Sequence, residues 1–168
     1  MNRRTFISAF GAAFLGGWGV AAAGQRKPGD SNMNTAVEQI ELSEAEWREK
    51  LTPEQFQILR KEGTEPAHSS PLNEEKRAGT YHCAGCDLVL FDSEAKYESG
   101  TGWPSFFQPI DPSHIGTKTD FKLILPRTEY HCARCGGHQG HVFNDGPEPT
   151  GKRYCNNGLA LVFKPADA

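Results

Sequence analysis

The chain has 168 residues, 37% hydrophobic and 10% aromatic, enough apolar material for one packed domain and too much for a disordered segment. Its 18 basic and 21 acidic residues leave a net charge of −3, without the basic footprint that a nucleic-acid partner requires.

Residues 1–23 read as an address rather than as part of the fold. Arg3 and Arg4 precede an uncharged run rich in Ala and Gly that closes on Ala21-Ala22-Ala23, the order of a secretory signal. Paired arginines followed by a large apolar residue resemble a twin-arginine signal, so export by that machinery to the periplasm or another extracytoplasmic space is expected. Left uncleaved, the same run is long enough to serve as a membrane anchor. Residues 24–41 form a polar linker in this reading, and residues 42–165 the folded domain.

Ser43-Glu44-Ala45-Glu46 has capping-box spacing and predicts a short helix from about Glu44. Thr52-Pro53-Glu54-Gln55 predicts a second, with Thr52 as N-cap, Pro53 at the first helical position and Gly63 as its stop. Phe56, Ile58 and Leu59 supply its apolar side. After Gly79 the helical period gives way to short β-rich runs: Thr80–Cys83, Leu88–Phe91, Lys122–Leu125, Glu129–Cys132, His141–Phe143 and Leu159–Phe163. Gly, Pro, Asp and Asn separate them. The expected fold class is α+β, mainly antiparallel β behind short N-terminal helices.

Tyr81-His82-Cys83-Ala84-Gly85-Cys86 is echoed by Tyr130-His131-Cys132-Ala133-Arg134-Cys135, two similar turns suited to meeting at one place. A two-residue gap lets a tight turn aim both sulfurs at one ion, and two such turns close a tetrahedral shell. Cys83, Cys86, Cys132 and Cys135 are therefore expected to hold one structural Zn2+, with iron or a pair of disulfides as the competing occupancies.

Cys155 is the fifth cysteine, without a partner among the other four. Arg153 lies two residues away, on the same face of an extended strand, where its charge favours thiolate over thiol. His138 and His141 are close in sequence and suited to acid work. Trp103, between Gly102 and Pro104, reads as a pocket wall for an apolar group.

Three segments, Ser99–Phe106, Gly137–Pro147 and Arg153–Gly158, together with both cysteine pairs, resemble the B-type methionine sulfoxide reductases over roughly Leu42 to Phe163. The resemblance implies two curled antiparallel sheets with the zinc site remote from the active site. It implies that Cys155 is the nucleophile, that Trp103 receives the S-methyl group, and that His138, His141 and Asn157 orient and protonate the sulfoxide oxygen. Arg153 would assist the thiolate, Phe143 and Asp145 would join the substrate site, and Asp145 would orient a histidine. The implied substrates are oxidised proteins or peptides carrying the R epimer, and the implied partner is a thioredoxin-like or other thiol reductant. Many members carry a resolving cysteine where this chain has Thr101, so a one-cysteine cycle that yields a sulfenic acid is expected. A zinc-ribbon binding module and a Cys-His hydrolase are the rival readings. The first leaves Cys155 without purpose, and the second lacks a sequence signal for an oxyanion hole.

Overall fold

The computed structural model describes residues 37–122 and 125–166. The expected signal and most of the expected linker lie outside the described residues. Residues 37–41, read above as the end of that linker, lie against the domain: Val37 packs on the core and the Ile40 amide donates to the Arg134 carbonyl at 2.7 Å.

Both capping boxes form. Helix α1 (Glu44–Lys50) begins behind Ser43, whose hydroxyl accepts from the Glu46 amide while the Glu46 carboxylate accepts from the Ser43 amide at 2.7 Å. Helix α2 (Pro53–Lys61) repeats the device with Thr52 and Gln55 and buries Phe56, Ile58 and Leu59. Its end differs from expectation, because Glu62 rather than a glycine turns left-handed, at φ 54°. Gly63 serves close approach instead. Its amide donates to the Gln57 carbonyl at 3.0 Å, and a Cβ there would stand 2.9 Å from that oxygen.

The strands are β1 (Gly79–Cys83), β2 (Val89–Asp92), β3 (Lys96–Tyr97), β4 (Ser105–Phe106), β5 (Ile115–Asp120), β6 (Arg127–Cys132), β7 (His138–Phe143), β8 (Arg153–Asn156) and β9 (Leu161–Pro165). Among the described residues they make two antiparallel sheets, one of order β2-β1-β9 and one of order β3-β4-β8-β7-β6-β5. The expected strand at Lys122–Leu125 is not one: Lys122 and Leu125 stand in the bend between β5 and β6, and positions 123 and 124 lie outside the described residues. The strand before that bend, β5, is an edge strand that is polar and largely exposed in its middle, so it carries no apolar run for periodicity to detect. Leu159 falls in a 3-10 turn, Gly158–Ala160, that leads into β9.

The core lies where the sheets face each other. Tyr81 and Phe91 from the smaller sheet meet Phe106, Tyr130 and Tyr154 from the larger. Phe91 stacks on Phe106 at 4.2 Å between ring centroids, and Tyr130 meets Tyr154 edge-on at 5.3 Å. Phe106, Tyr154 and Val142 are successive cross-strand partners on the core side of the larger sheet. Strand alternation turns their neighbours Ser105, Cys155 and His141 to the opposite face.

Candidate active site

That opposite face carries one row of side chains across all six strands of the larger sheet. Tyr97 pairs with Ser105, Ser105 with Cys155, Cys155 with His141, His141 with Glu129, and Glu129 with Lys118. Directly paired residues stand side by side on one face, so the sheet register brings Cys155 against His141. Arg153 and Phe143 form the next pair along the same two strands. A bulge opposite Tyr130 and His131 puts Gln139 out of step, which returns His138 to the face of His141.

Cys155 opens into a cavity of about 260 Å³, whose walls include Thr101, Trp103, His141, Phe143, Arg153 and Asn157. The thiol is half-buried, and burial pushes it above the ordinary thiol range, while the charge of Arg153 and a hydrogen bond with Thr101 pull it back. Arg153 therefore counteracts the cost of burial without reversing it. Its guanidinium is fixed by two bonds to Asp145, at 2.9 and 2.8 Å, and lies 4.3 Å over the Phe143 ring.

This pairing corrects the role expected for Asp145, which orients the arginine rather than a histidine. The histidine's carboxylate is Asp120, unmarked by the sequence reading, with its Oδ2 2.8 Å from His141 Nε2. Asp120 also accepts from the Lys122 amide and from Arg127, contacts that hold it well below the usual carboxylate range, the Lys122 amide foremost. Burial lowers His141, and Asp120 opposes that shift. His138 is 2% exposed and stands behind the cavity wall. Its ring centroid is 5.6 Å from that of His141, and its Nδ1 is 3.0 Å from Glu129 Oε1, off the line of a hydrogen bond.

Asn157 lines the cavity with its amide already engaged. Its Nδ2 donates to the Gln139 carbonyl at 3.0 Å and its Oδ1 accepts from the Glu65 amide at 3.0 Å. Glu65 is a second residue that the sequence did not reveal. Its carbonyl accepts from the Trp103 indole at 3.1 Å, and its buried carboxylate accepts from the Gly158 and Leu159 amides at 2.6 and 2.9 Å. One segment after α2 thus sets the tryptophan, the asparagine and the turn following β8.

The four remaining cysteines form a separate cluster, with all four sulfurs within 4.8 Å of one another. Cys83 Sγ is 3.6 Å from Cys135 Sγ, and Cys86 Sγ is 3.4 Å from Cys132 Sγ. None is disulfide-bonded. A tetrahedron of sulfurs at the usual zinc–thiolate distance has edges of about 3.8 Å, so the cluster fits a metal ion. The two turns are alike, each ending on a left-handed residue, Asp87 at φ 62° and Gly136 at φ 66°, whose amides donate to the Cys83 and Cys132 carbonyls. Thiol–thiol hydrogen bonding, foremost with Cys132, pushes Cys83 up and pulls Cys86 and Cys135 down. Gln139, fully buried, donates from Nε2 to Cys83 Sγ at 3.4 Å. Its carbonyl is the one that holds Asn157, so a single residue touches both sites.

Residues 51–165 match the family model described as the SelR domain. The chain is 50% identical over 126 residues to a peptide methionine sulfoxide reductase MsrB of Leptospira interrogans, covering 75% of this chain and 96% of the relative. It is 52% identical over 131 residues to the MsrB of Pseudomonas putida, covering 78% and 98%. Against the chloroplastic peptide methionine sulfoxide reductase B1 of Arabidopsis thaliana it is 54% identical over 121 residues, covering 71% and 59%. With a match of this extent laid over two antiparallel sheets and a four-cysteine cluster, the chain belongs to the B-type methionine sulfoxide reductase family.

Proposed function

We propose that the chain reduces methionine sulfoxide to methionine, takes the R epimer, and acts mainly on residues within peptides and proteins as repair of oxidative damage. One observation carries the reading: Cys155 faces His141 across a strand pair, inside a cavity walled by Trp103 and Phe143. The aromatic wall receives the S-methyl group. The Cys155 thiolate attacks the sulfoxide sulfur while His141 delivers a proton to the sulfoxide oxygen, which is otherwise a poor leaving group. The protonated oxygen then passes from the substrate sulfur to the Cys155 sulfur as the S–S bond formed in the attack breaks, which leaves a sulfenic acid on Cys155 and releases the substrate as the thioether. His138 and Asn157 orient this machinery from behind and beside, and Arg153, steered by Asp145, supports the thiolate.

No other free thiol lies among the cavity walls, where Thr101 stands close to Cys155. Recycling therefore falls to an external thiol of a thioredoxin-like or other reductant. It attacks the sulfenic sulfur, releases water and leaves a mixed disulfide, which a second thiol reduces. The four-cysteine cluster holds one structural zinc in this reading, since four thiolates close the shell and leave no open position for chemistry. Residues 1–23 direct export by the twin-arginine route to the periplasm, or anchor the domain there if they are retained.

Turnover of the two separated epimers with dithiothreitol tests the proposal. The R epimer is expected to be reduced and the S epimer left intact, with Cys155→Ser inactive. Enzyme treated with substrate alone should gain one oxygen at Cys155. A disulfide from Cys155 to any of the four cluster cysteines in metal-loaded protein would rule out the one-cysteine cycle.

A further inference from the structure

Arg127 lines the cavity together with His141, yet the steps above give it no part. Its Nη2 donates to Asp120 Oδ2 at 2.6 Å, and that same oxygen lies 2.8 Å from His141 Nε2. The other oxygen, Oδ1, accepts from the Lys122 amide at 2.8 Å. Sheet register fixes this convergence. Asp120 pairs with Arg127 where β5 ends and β6 begins, and His141 pairs with Glu129, two residues along β6 and on the same face.

Guanidinium and amide N–H groups only donate, so the oxygens they meet are acceptors. Asp120, held well below the usual carboxylate range by the Lys122 amide foremost, is ionised, and only an N–H at His141 Nε2 suits it. The bare nitrogen of the neutral ring is therefore Nδ1. Once Nδ1 takes a proton, the imidazolium has two courses open. If its Nε2 proton crossed to Asp120, the ring would become a neutral imidazole with its hydrogen on Nδ1, a far weaker acid than imidazolium. Arg127 on the receiving oxygen and the Lys122 amide on the other oppose that crossing. The ring then stays charged, and its Nδ1–H stays acidic.

Resting on the assignment of His141 as the proton donor, we propose that Arg127, acting through Asp120, keeps His141 one-ended: its ring takes up and returns a proton at Nδ1 alone. The proton balance closes on that atom. The Cys155 thiol proton goes to Nδ1, and Nδ1 passes it to the sulfoxide oxygen as the sulfur–sulfur bond forms; nothing is transferred to Asp120. Burial of His141 and the charge of Arg127 both favour the neutral ring at rest, the form able to accept the thiol proton. Asp120 touches the histidine and Arg127 touches Asp120, so both are positioning residues.

The test follows the ring nitrogens of His141 by nitrogen NMR in reduced, metal-loaded protein without sulfoxide, with His141→Asn to identify its signals. Hydrogen-bearing and bare imidazole nitrogens resonate far apart. As the pH falls through the midpoint, Nδ1 is expected to move from the bare to the protonated position while Nε2 stays protonated throughout. A hydrogen on Nδ1 of the neutral ring, or two averaged nitrogens that titrate together, overturns the proposal. The parent spectrum decides this whether or not a variant folds. Cys155, Arg153 with Asp145, Glu129 with Lys118, and His138 are the other titratable and charged groups around the ring, and every variant retains them. Arg127→Gln is expected to raise the midpoint by about 0.5–1 pH unit and to lower kcat roughly 10-fold, with a smaller change in KM. Arg127→Lys keeps a charged donor to Asp120 and is expected to stay within about 3-fold of the parent. An Arg127→Gln protein with the parent's midpoint and kcat overturns the role of Arg127. No sulfoxide enters the NMR measurement: a neutral ring protonated on Nδ1 leaves the reductase reading standing, and a failure of sulfoxide turnover leaves the NMR result standing.

Discussion

Glu65 holds Trp103 and Asn157 at once: its carbonyl takes the indole N–H at 3.1 Å and its amide gives to the asparagine side chain at 3.0 Å. The same residue closes the turn after β8 through its carboxylate. The cavity wall at Trp103 and the end of the strand that carries Cys155 therefore share one fastening, contributed by a segment far from both in the chain.

Replacing that carboxylate should damage fold and substrate binding together. Glu65→Ala leaves the buried Gly158 amide unpaired, at about 1–3 kcal/mol, and gives up the part-buried Leu159 amide bond at a smaller cost. Glu65→Gln keeps one acceptor and should cost about half as much. Thermal denaturation measures the first effect, and a raised KM for the sulfoxide measures the second. A Glu65→Ala protein as stable as the parent contradicts the assignment.

Acid should weaken the domain in part through His141. Burial lowers this histidine in the folded state, so below the ordinary imidazole value near 6.5 the unfolded chain binds a proton that the folded chain refuses. Stability then falls as the pH drops from about 6.5 toward the lowered value. His141→Asn, measured by denaturant unfolding with saturating metal, should show a shallower fall across that window. Asp120 acts in the same direction at lower pH, since its depressed carboxyl stabilises the fold only while ionised.

Stripping the metal should be felt at the active site as well as in the scaffold. The cluster joins the ends of β1 and β6, and its loss is comparable with that of a structural cross-link, roughly 3–5 kcal/mol. A melting temperature lower by about 10 °C or more is expected after chelation. Because Gln139 contacts Cys83 and also carries Asn157, sulfoxide turnover should decline in the stripped protein even below its melting temperature. Metal content by elemental analysis, at one zinc per chain, checks the stoichiometry and the identity.

Export can be tested apart from catalysis. Loading metal and folding before passage would shield four thiols from an oxidising compartment, a reason for a route that carries folded cargo. Arg3→Lys together with Arg4→Lys should retain the protein in the cytoplasm, as followed by fractionation. Unchanged export of the double variant argues against the twin-arginine reading.

What the sequence determined by itself was local. The two capping boxes, the two Cys-x2-Cys turns and the solitary Cys155 are legible because cap, turn and thiol chemistry act over two or three neighbouring residues. Side-chain alternation placed Arg153 beside Cys155 for the same reason. Only the tertiary structure decided that Asp120 reaches His141 across 21 positions, that Glu65 reaches Trp103 across 38 and Asn157 across 92, and that Asp145 steers the arginine. These contacts depend on sheet register and on the bulge at Gln139, which arise from packing between distant strands and leave no periodic trace in the chain. The polar strand β5 is the clearest case: its middle is exposed and its sequence ordinary, yet its last residue bonds the histidine that faces Cys155.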